Sequence, residues 1–420
     1  MGEELVKQEI VSAYLKLVEE DGAGTWPPKT DYVSWPRALR GYKEIYLELS
    51  PLLATAEPSL DDDTNQGRRI QYRSLMRKLL SDRISIPKVG AIMEVAETGN
   101  FDLFPRDAYN GFYCCVAVLR HAYRWATIPV VKVAQEELVV DLPPELEIPW
   151  PYLQRHFGVD ADSGNNTANV LMNFTASGER VFKINVGLNE TVTRSEDIFF
   201  HVFYEVEVKA VPIYDAMVRA IVAFDQGDKM ACLEFMRLLG RHQRKLMKSF
   251  YENIHDHLVS RSVWLSHVQG FQGWGAGRLI DGEFVKYDGL SGNHVLVFQA
   301  IDAFLGLDRY LTEEAMKRYI PINQRNFCDT LKKHSFRSEL RDTPVDLSLN
   351  QEFINIVNQM RVFRAAHRTR VMPYLEQPAP ERLVMTAGKS VLETNGQEQE
   401  IKEVLKPLDD MMVGRLRETV

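Results

Sequence analysis

The chain has 420 residues, 45% of them hydrophobic and 26% charged, with a formal net charge of −8 and a sequence pI near 5.8. That is the composition of a globular protein long enough for two domains and a sizeable core, which excludes a disordered or fibrous chain. An acidic balance without a long basic block makes nucleic acid and anionic membrane surfaces unexpected partners.

The N-terminal MGEELVKQEIVSAYL is acidic and amphipathic, so neither a signal peptide nor a myristoylation site is expected, Val6 standing where Ser or Thr is required. No apolar run reaches the ~18 residues of a membrane span. Four cysteines, Cys114, Cys115, Cys232 and Cys328, lack CxxC spacing and point to reduced, buried thiols and a cytoplasmic location. The pattern predicts an amphipathic helix over 4–22, an extended connection through TWPPKTDYVSWP, and helices over 37–55 and 66–82. Residues 107–125 are apolar on nearly every side, a buried helix in which His121 is structural. The Pro-rich DLPPELEIPWPY (141–152) is the expected boundary, dividing a smaller N-terminal helical domain, 1–150, from a larger helical domain, 151–420. A hairpin is expected around Gly187 in VFKINVGLNETV (181–192).

Beyond it the pattern is helical over 197–225, capped by Ser195, and over 228–258. A glycine-rich loop, GFQGWGAGRLIDGEF, and the turn DGLSG (288–292) follow. VLVFQAIDAFLGL (295–307) is a buried helix whose one charge is Asp302, and 312–335 is helical again. Segment 376–400 reads as irregular, either a lid over a pocket or a plain loop, before a last amphipathic helix.

In NQEFINIVNQMRVFRAAHRTRVMPYL (350–375), Phe353, Ile356, Val357, Met360, Phe363, His367 and Val371 recur at spacings of three and four, one face of a helix. A histidine on such a face is commonly a core residue bonded to a backbone carbonyl. The other reading is an axial ligand to haem iron, with Arg364 one turn earlier as the cation for a haem propionate. The pattern leaves both open.

Four pieces together resemble the indoleamine 2,3-dioxygenase superfamily of haem proteins: FFHVFYEVEV (199–208), QGWGAGRLIDGEF with GLSG (272–292), VFQAIDAFLGL (297–307) and RAAH (364–367). The resemblance runs from about Leu119 to Leu375 and implies a mainly α, indoleamine 2,3-dioxygenase-like fold: a large all-helical haem domain with a smaller, mostly helical N-terminal domain. It implies haem b as cofactor, His367 as the proximal iron ligand, Arg364 as a propionate contact and Asp302 as the carboxylate pairing with that arginine. Ser291 and Gly292 match the small-residue turn over the distal face, Phe199, Phe200 and Phe203 an aromatic distal wall, and Trp264 a gate aromatic. A buried aspartate and a buried arginine are each costly alone and suit one another, which agrees with this.

The departures point to a divergent member. Where tryptophan-cleaving relatives carry a carboxylate-binding arginine, four residues before a Ser-Gly-Trp segment, this chain has Val268 before Gln272-Gly273-Trp274. Valine cannot make a bidentate contact. Either the substrate lacks a free α-carboxylate there, or His267 or Arg155 serves it. Phe203 replaces a small polar residue, and His294 stands where Gln is common. The implied function is haem-dependent dioxygenation or monooxygenation of an indole or tryptophan-derived substrate by O2, in secondary metabolism, with neither nucleic acid nor membrane as partner. Alternatives are a non-catalytic haem or gas sensor of the same fold, a non-haem metal enzyme using His255 and His257 or His201 and Glu205, and a purely structural helical protein. His201 and His267 would be the candidates for a distal acid–base histidine.

Overall fold

The computed structural model describes residues 2–375, 385–386, 389–390, 410, 413–415 and 417–418. Mainly helical, as expected, the chain opens with Gly2–Lys16 and a π turn over Leu17–Asp21. Helices Arg40–Leu53, Asp62–Arg83, Ile86–Glu97 and Arg106–Trp125 follow. Every residue from Ala108 to Trp125 is buried, which matches a run apolar on all sides. The Pro-rich boundary segment folds as two short helices, Pro144–Glu147 and Trp150–Phe157, with prolines in their first turns where a missing N–H costs nothing.

Three long helices carry the second half. Glu190–Asp225 is capped by Asn189, whose side chain accepts from Val192 N, so it starts earlier than the expected cap at Ser195. Lys229–Asn253, capped by Asp228, packs against it and against Pro344–Leu375. Phe353, Ile356, Val357, Met360 and Phe363 of the last helix are buried in this packing, as their spacing predicts. Shorter helices Leu296–Phe304, Glu313–Tyr319 and Ile322–Lys333 complete it, the last two separated at Pro321.

Apolar side chains gather into two large clusters. One runs from Tyr32 to Ile184 and takes in Val268, Phe271 and Leu290; the other joins the long helices with Ile10, Leu17 and Trp26. We propose that they are the cores of the smaller and larger units. Glu207, buried on the long helix, ties the second cluster together: its carboxylate accepts from Trp26 Nε1 at 2.7 Å, Tyr214 Oη at 2.7 Å and Val297 N at 3.0 Å.

The hairpin lies elsewhere than expected. Residues 181–192 form no strand: Ile184 N and Asn185 N both donate to the Glu196 carboxylate at 2.8 Å, which satisfies the backbone without a neighbouring strand. Instead Ala276–Ile280 pairs antiparallel with Glu283–Tyr287 inside the presumed glycine-rich loop. Asp281 and Gly282 make the two-residue turn, both with positive φ. The expected lid, 376–400, lies outside the described residues apart from the paired Met385–Thr386 and Lys389–Ser390, and of the expected final helix only 410, 413–415 and 417–418 are described. Among the described residues no helix is long and apolar enough to cross a membrane.

Candidate functional site

A cavity of about 260 Å3 opens between the long helices and the 264–293 loops, and its lining is largely apolar. One group of lining residues surrounds the Pro344–Leu375 helix. There the imidazole of His367 lies parallel to Phe363, ring centres 6.0 Å apart at 5°, with Phe250 edge-on at 5.7 Å. Phe298 stacks on the same Phe363 at 4.8 Å. Burial pulls the pKa of His367 down to about 4, so the ring is neutral at neutral pH. Among the described residues no protein group hydrogen-bonds either ring nitrogen, which removes the carbonyl-bonded core histidine as the explanation.

One turn before His367, Arg364 directs Nη2 to both oxygens of Asp302, at 2.5 and 2.7 Å. Asp302 is 3% exposed and Arg364 9%, so this is a desolvated ion pair of the expected residues. A third member, which no periodicity marks, completes the cluster: Arg415, from the C-terminal region, reaches the same carboxylate at 2.8 Å and also pairs with Glu418. Arg364 Nη1 is buried with no protein partner.

The second group of lining residues is aromatic and neutral. Phe203 meets Phe199 at 5.2 Å, Phe199 meets Trp264 at 5.9 Å and Trp264 meets Tyr374 at 5.5 Å, all edge-to-face. Phe200 lines the cavity too and carries the Arg180 guanidinium on its ring, 4.4 Å from the centre. Ser291 and Gly292 form the neighbouring turn, where Ser291 Oγ accepts from Asn293 N at 3.2 Å. His294, stacked on Tyr319 at 4.9 Å, accepts from Ser291 N through Nδ1 at 3.4 Å; it holds the turn and does not line the cavity.

Three expectations need correction. Val268 is fully buried in the first core and does not line the cavity, so the substrate-binding position it was assigned is not a cavity position here. His267 is bonded to Ser266 Oγ at 2.8 Å and Thr55 O at 3.1 Å, and Arg155 is paired with Glu97 at 2.6 Å, so neither named substitute cation lines the cavity. His201 is exposed against Phe174 and Tyr204, while Glu205 pairs with Lys209 at 2.9 Å. His255 and His257 have ring centres 5.7 Å apart, and among the described residues no group of three or more His, Cys, Asp or Glu could hold a metal ion. Expected site residues that do converge on the cavity are Phe199, Phe200, Phe203, Trp264, Ser291, Gly292, Arg364 and His367, with Asp302 behind Arg364.

The polar part of the lining carries no periodic signal in the sequence. Asn166 and Gln272 line the cavity with buried side-chain oxygens that lack a partner, as does Trp264 with its Nε1. Gln272 is firmly placed. Leu290 N donates to its carbonyl at 2.8 Å, and any side chain on Gly289 would strike the backbone of Gln272 and Gly273. The buried Arg106–Trp125 helix holds the same loop, with His121 Nδ1 at 2.7 Å and Trp125 Nε1 at 3.1 Å from Phe271 O, and Arg124 Nε at 3.1 Å from Trp274 O.

A family model described as indoleamine 2,3-dioxygenase matches residues 102–408. The chain belongs to the indoleamine 2,3-dioxygenase family. The match covers every element that lines the cavity from Asn166 to Leu375, and the mainly helical architecture agrees with the family's fold. A curated relative, "Indoleamine 2,3-dioxygenase acdA" of Aspergillus candidus, is 24% identical over 213 residues, which are 44% of this chain and 51% of that protein. The chain therefore spans about half the length of the curated relative it matches.

The donor set suits a haem of the kind an indoleamine 2,3-dioxygenase carries. A neutral imidazole without a protein partner is the form that binds iron, and a buried guanidinium nitrogen without a partner calls for an anion such as a propionate.

Proposed function

We propose that this chain is a haem-dependent oxygenase that uses O2 to oxidise an indole or tryptophan-derived substrate. The observation that carries the reading is the presence, in one apolar cavity, of an unbonded neutral His367 beside an Arg364 whose Nη1 lacks a protein partner. In this reading His367 holds the iron of haem b, and Arg364 holds a propionate while its Nη2 remains on Asp302. The cofactor, when bound, supplies the activation of O2.

The chain's own residues supply position and dryness. Phe199, Phe203 and Trp264 offer ring faces and edges against which a flat indole can stack. Gly292 lets the Phe203 ring pack closely against the turn, and Ser291 and His294 fix the turn that carries it. His367 is the one histidine lining the cavity among the described residues, so no distal imidazole is assigned to proton transfer. The aromatic lining keeps water out of the cavity. Four buried cysteines, none in a disulfide, support a reducing, cytoplasmic setting.

The test is O2 uptake by the reduced, haem-loaded protein across a panel of indoles, with 18O2 and mass spectrometry of the products. Substrate-dependent uptake with one or two labelled atoms in the product is the expected result. A stable O2 complex and no uptake with any indole would replace the oxygenase with a gas-binding protein.

A further inference from the structure

We propose that the substrate of this chain is an indole whose carboxyl group is masked as a neutral amide, as in a tryptophan residue within a small peptide, rather than a free amino acid. The proposal rests on the oxygenase reading and names the substrate class for the same cavity.

The cations near the cavity lie on one side of it, where Arg364 Nη1 is reserved for the propionate of the oxygenase reading. Arg364 and Arg415 share Asp302, and Arg370 donates Nη1 to Tyr251 O at 2.6 Å and Ile254 O at 3.1 Å while lying over the Tyr251 ring. All come from the His367 helix or the C-terminal region. The other lining group, Asn166, Val170, Phe199 to Phe203 and the 259–293 loops, contributes no Lys, Arg or His to the lining. A carboxylate there would lose its hydration without gaining a counter-charge, an outcome that opposes binding.

What that group offers is amide chemistry. Asn166 is 5% exposed, and its Oδ1 is buried with no partner; Gln272 Oε1 is in the same condition, and Trp264 contributes an unpaired donor in Nε1. A buried amide without a partner is costly, and a ligand presenting both N–H and C=O removes that cost. The cost is reinforced by rigidity: the Gln272 backbone is clamped to Leu290 N, and Asn166 sits in a turn capped by Asn165 Oδ1 on Ala168 N at 2.9 Å. Fixed amides select a matching ligand instead of folding back on themselves. Val268, buried in the apolar core, provides no carboxylate-binding arm.

The test compares N-acetyltryptophanamide with N-acetyltryptophan, which differ only in the carboxyl group. Calorimetric titration into the haem-reconstituted protein reads affinity, and the Soret band of the same sample reads haem separately. The expected result is that the amide binds about tenfold or more tightly than the acid, and that Gln272→Leu removes most of this ratio. Gln272→Glu serves as the second variant: its carboxylate still accepts from a ligand N–H and repels the acid, so the preference for the amide is kept or increased. Equal or tighter binding of the acid overturns the proposal, as does binding of neither ligand or an unchanged ratio in both variants. Tight binding of the acid that is lost in Arg370→Gln would overturn it too and move the substrate carboxylate to Arg370. A missing Soret band would instead sink the haem reading, since the calorimetric ratio does not depend on that band.

Discussion

Phe203 and Gly292 are matched in size: a Cβ added at position 292 would lie 3.3 Å from Phe203 Cε1 and 3.6 Å from Cζ. The phenyl ring fills the space that a side chain at 292 would take, so the large residue and the absent one form a single device. Gly292→Ala should therefore cost about 1 kcal/mol of stability with Phe203 present and clearly less in a Phe203→Leu background. A denaturant double-mutant cycle measures this, and strictly additive effects would show that the two positions do not depend on each other.

Asp302 balances two arginines. Asp302→Ala leaves Arg364 and Arg415 buried without their shared anion, and should destabilise the protein by about 3–5 kcal/mol. Chemical denaturation of the variant checks the magnitude. A loss below about 1 kcal/mol would mean that water reaches the cluster and screens it.

His294 gives stability a pH dependence of known sign. Burial lowers its pKa from 6.5 to about 4, so between those values the unfolded chain binds a proton that the folded chain refuses. Its stabilising contribution is present above pH 6.5 and is lost as pH falls through that window, by up to about 3 kcal/mol in all. Protonation also removes the Nδ1 lone pair that accepts from Ser291 N. Denaturation midpoints measured across this range should fall with acid, and less steeply for His294→Gln; equal slopes would contradict the assignment.

Val268→Arg would look from sequence like restoration of a carboxylate-binding arm. With Val268 fully buried in the core cluster that also holds Phe271 and Trp125, the guanidinium loses its hydration, and the variant should lose about 3 kcal/mol or more of stability without gaining affinity for tryptophan. Thermal melting and tryptophan binding, measured together, check both halves of this.

What was legible in the sequence was legible for physical reasons. A helix with apolar residues at spacings of three and four has to bury that face, so Phe353, Met360 and Phe363 and the position of His367 follow from periodicity. Asp302 stood out because it was the one charge in an apolar run, and it is indeed paired with Arg364. The hairpin was misplaced because VFKINV has strand-like residues, yet Glu196 takes over its backbone donors from a distance in sequence. The true hairpin carried a visible signal, Asp281-Gly282 between GRLI and EFVKY, that the surrounding glycines obscured. Arg415 and the unpaired amides of Asn166 and Gln272 gave no periodic signal, because their roles depend on contacts between distant segments. Glu207 was hidden in the same way, its partners being Trp26, Tyr214 and Val297.

The central claim is that His367 is the iron ligand, and it is tested most directly by titrating haem into the purified protein and into His367→Ala, then recording the ferrous–CO spectra. The account predicts saturation at one haem per chain, with a histidine-type Soret band in the original protein and loss of stoichiometric binding in the variant. Full haem occupancy in His367→Ala with an unchanged spectrum would contradict it.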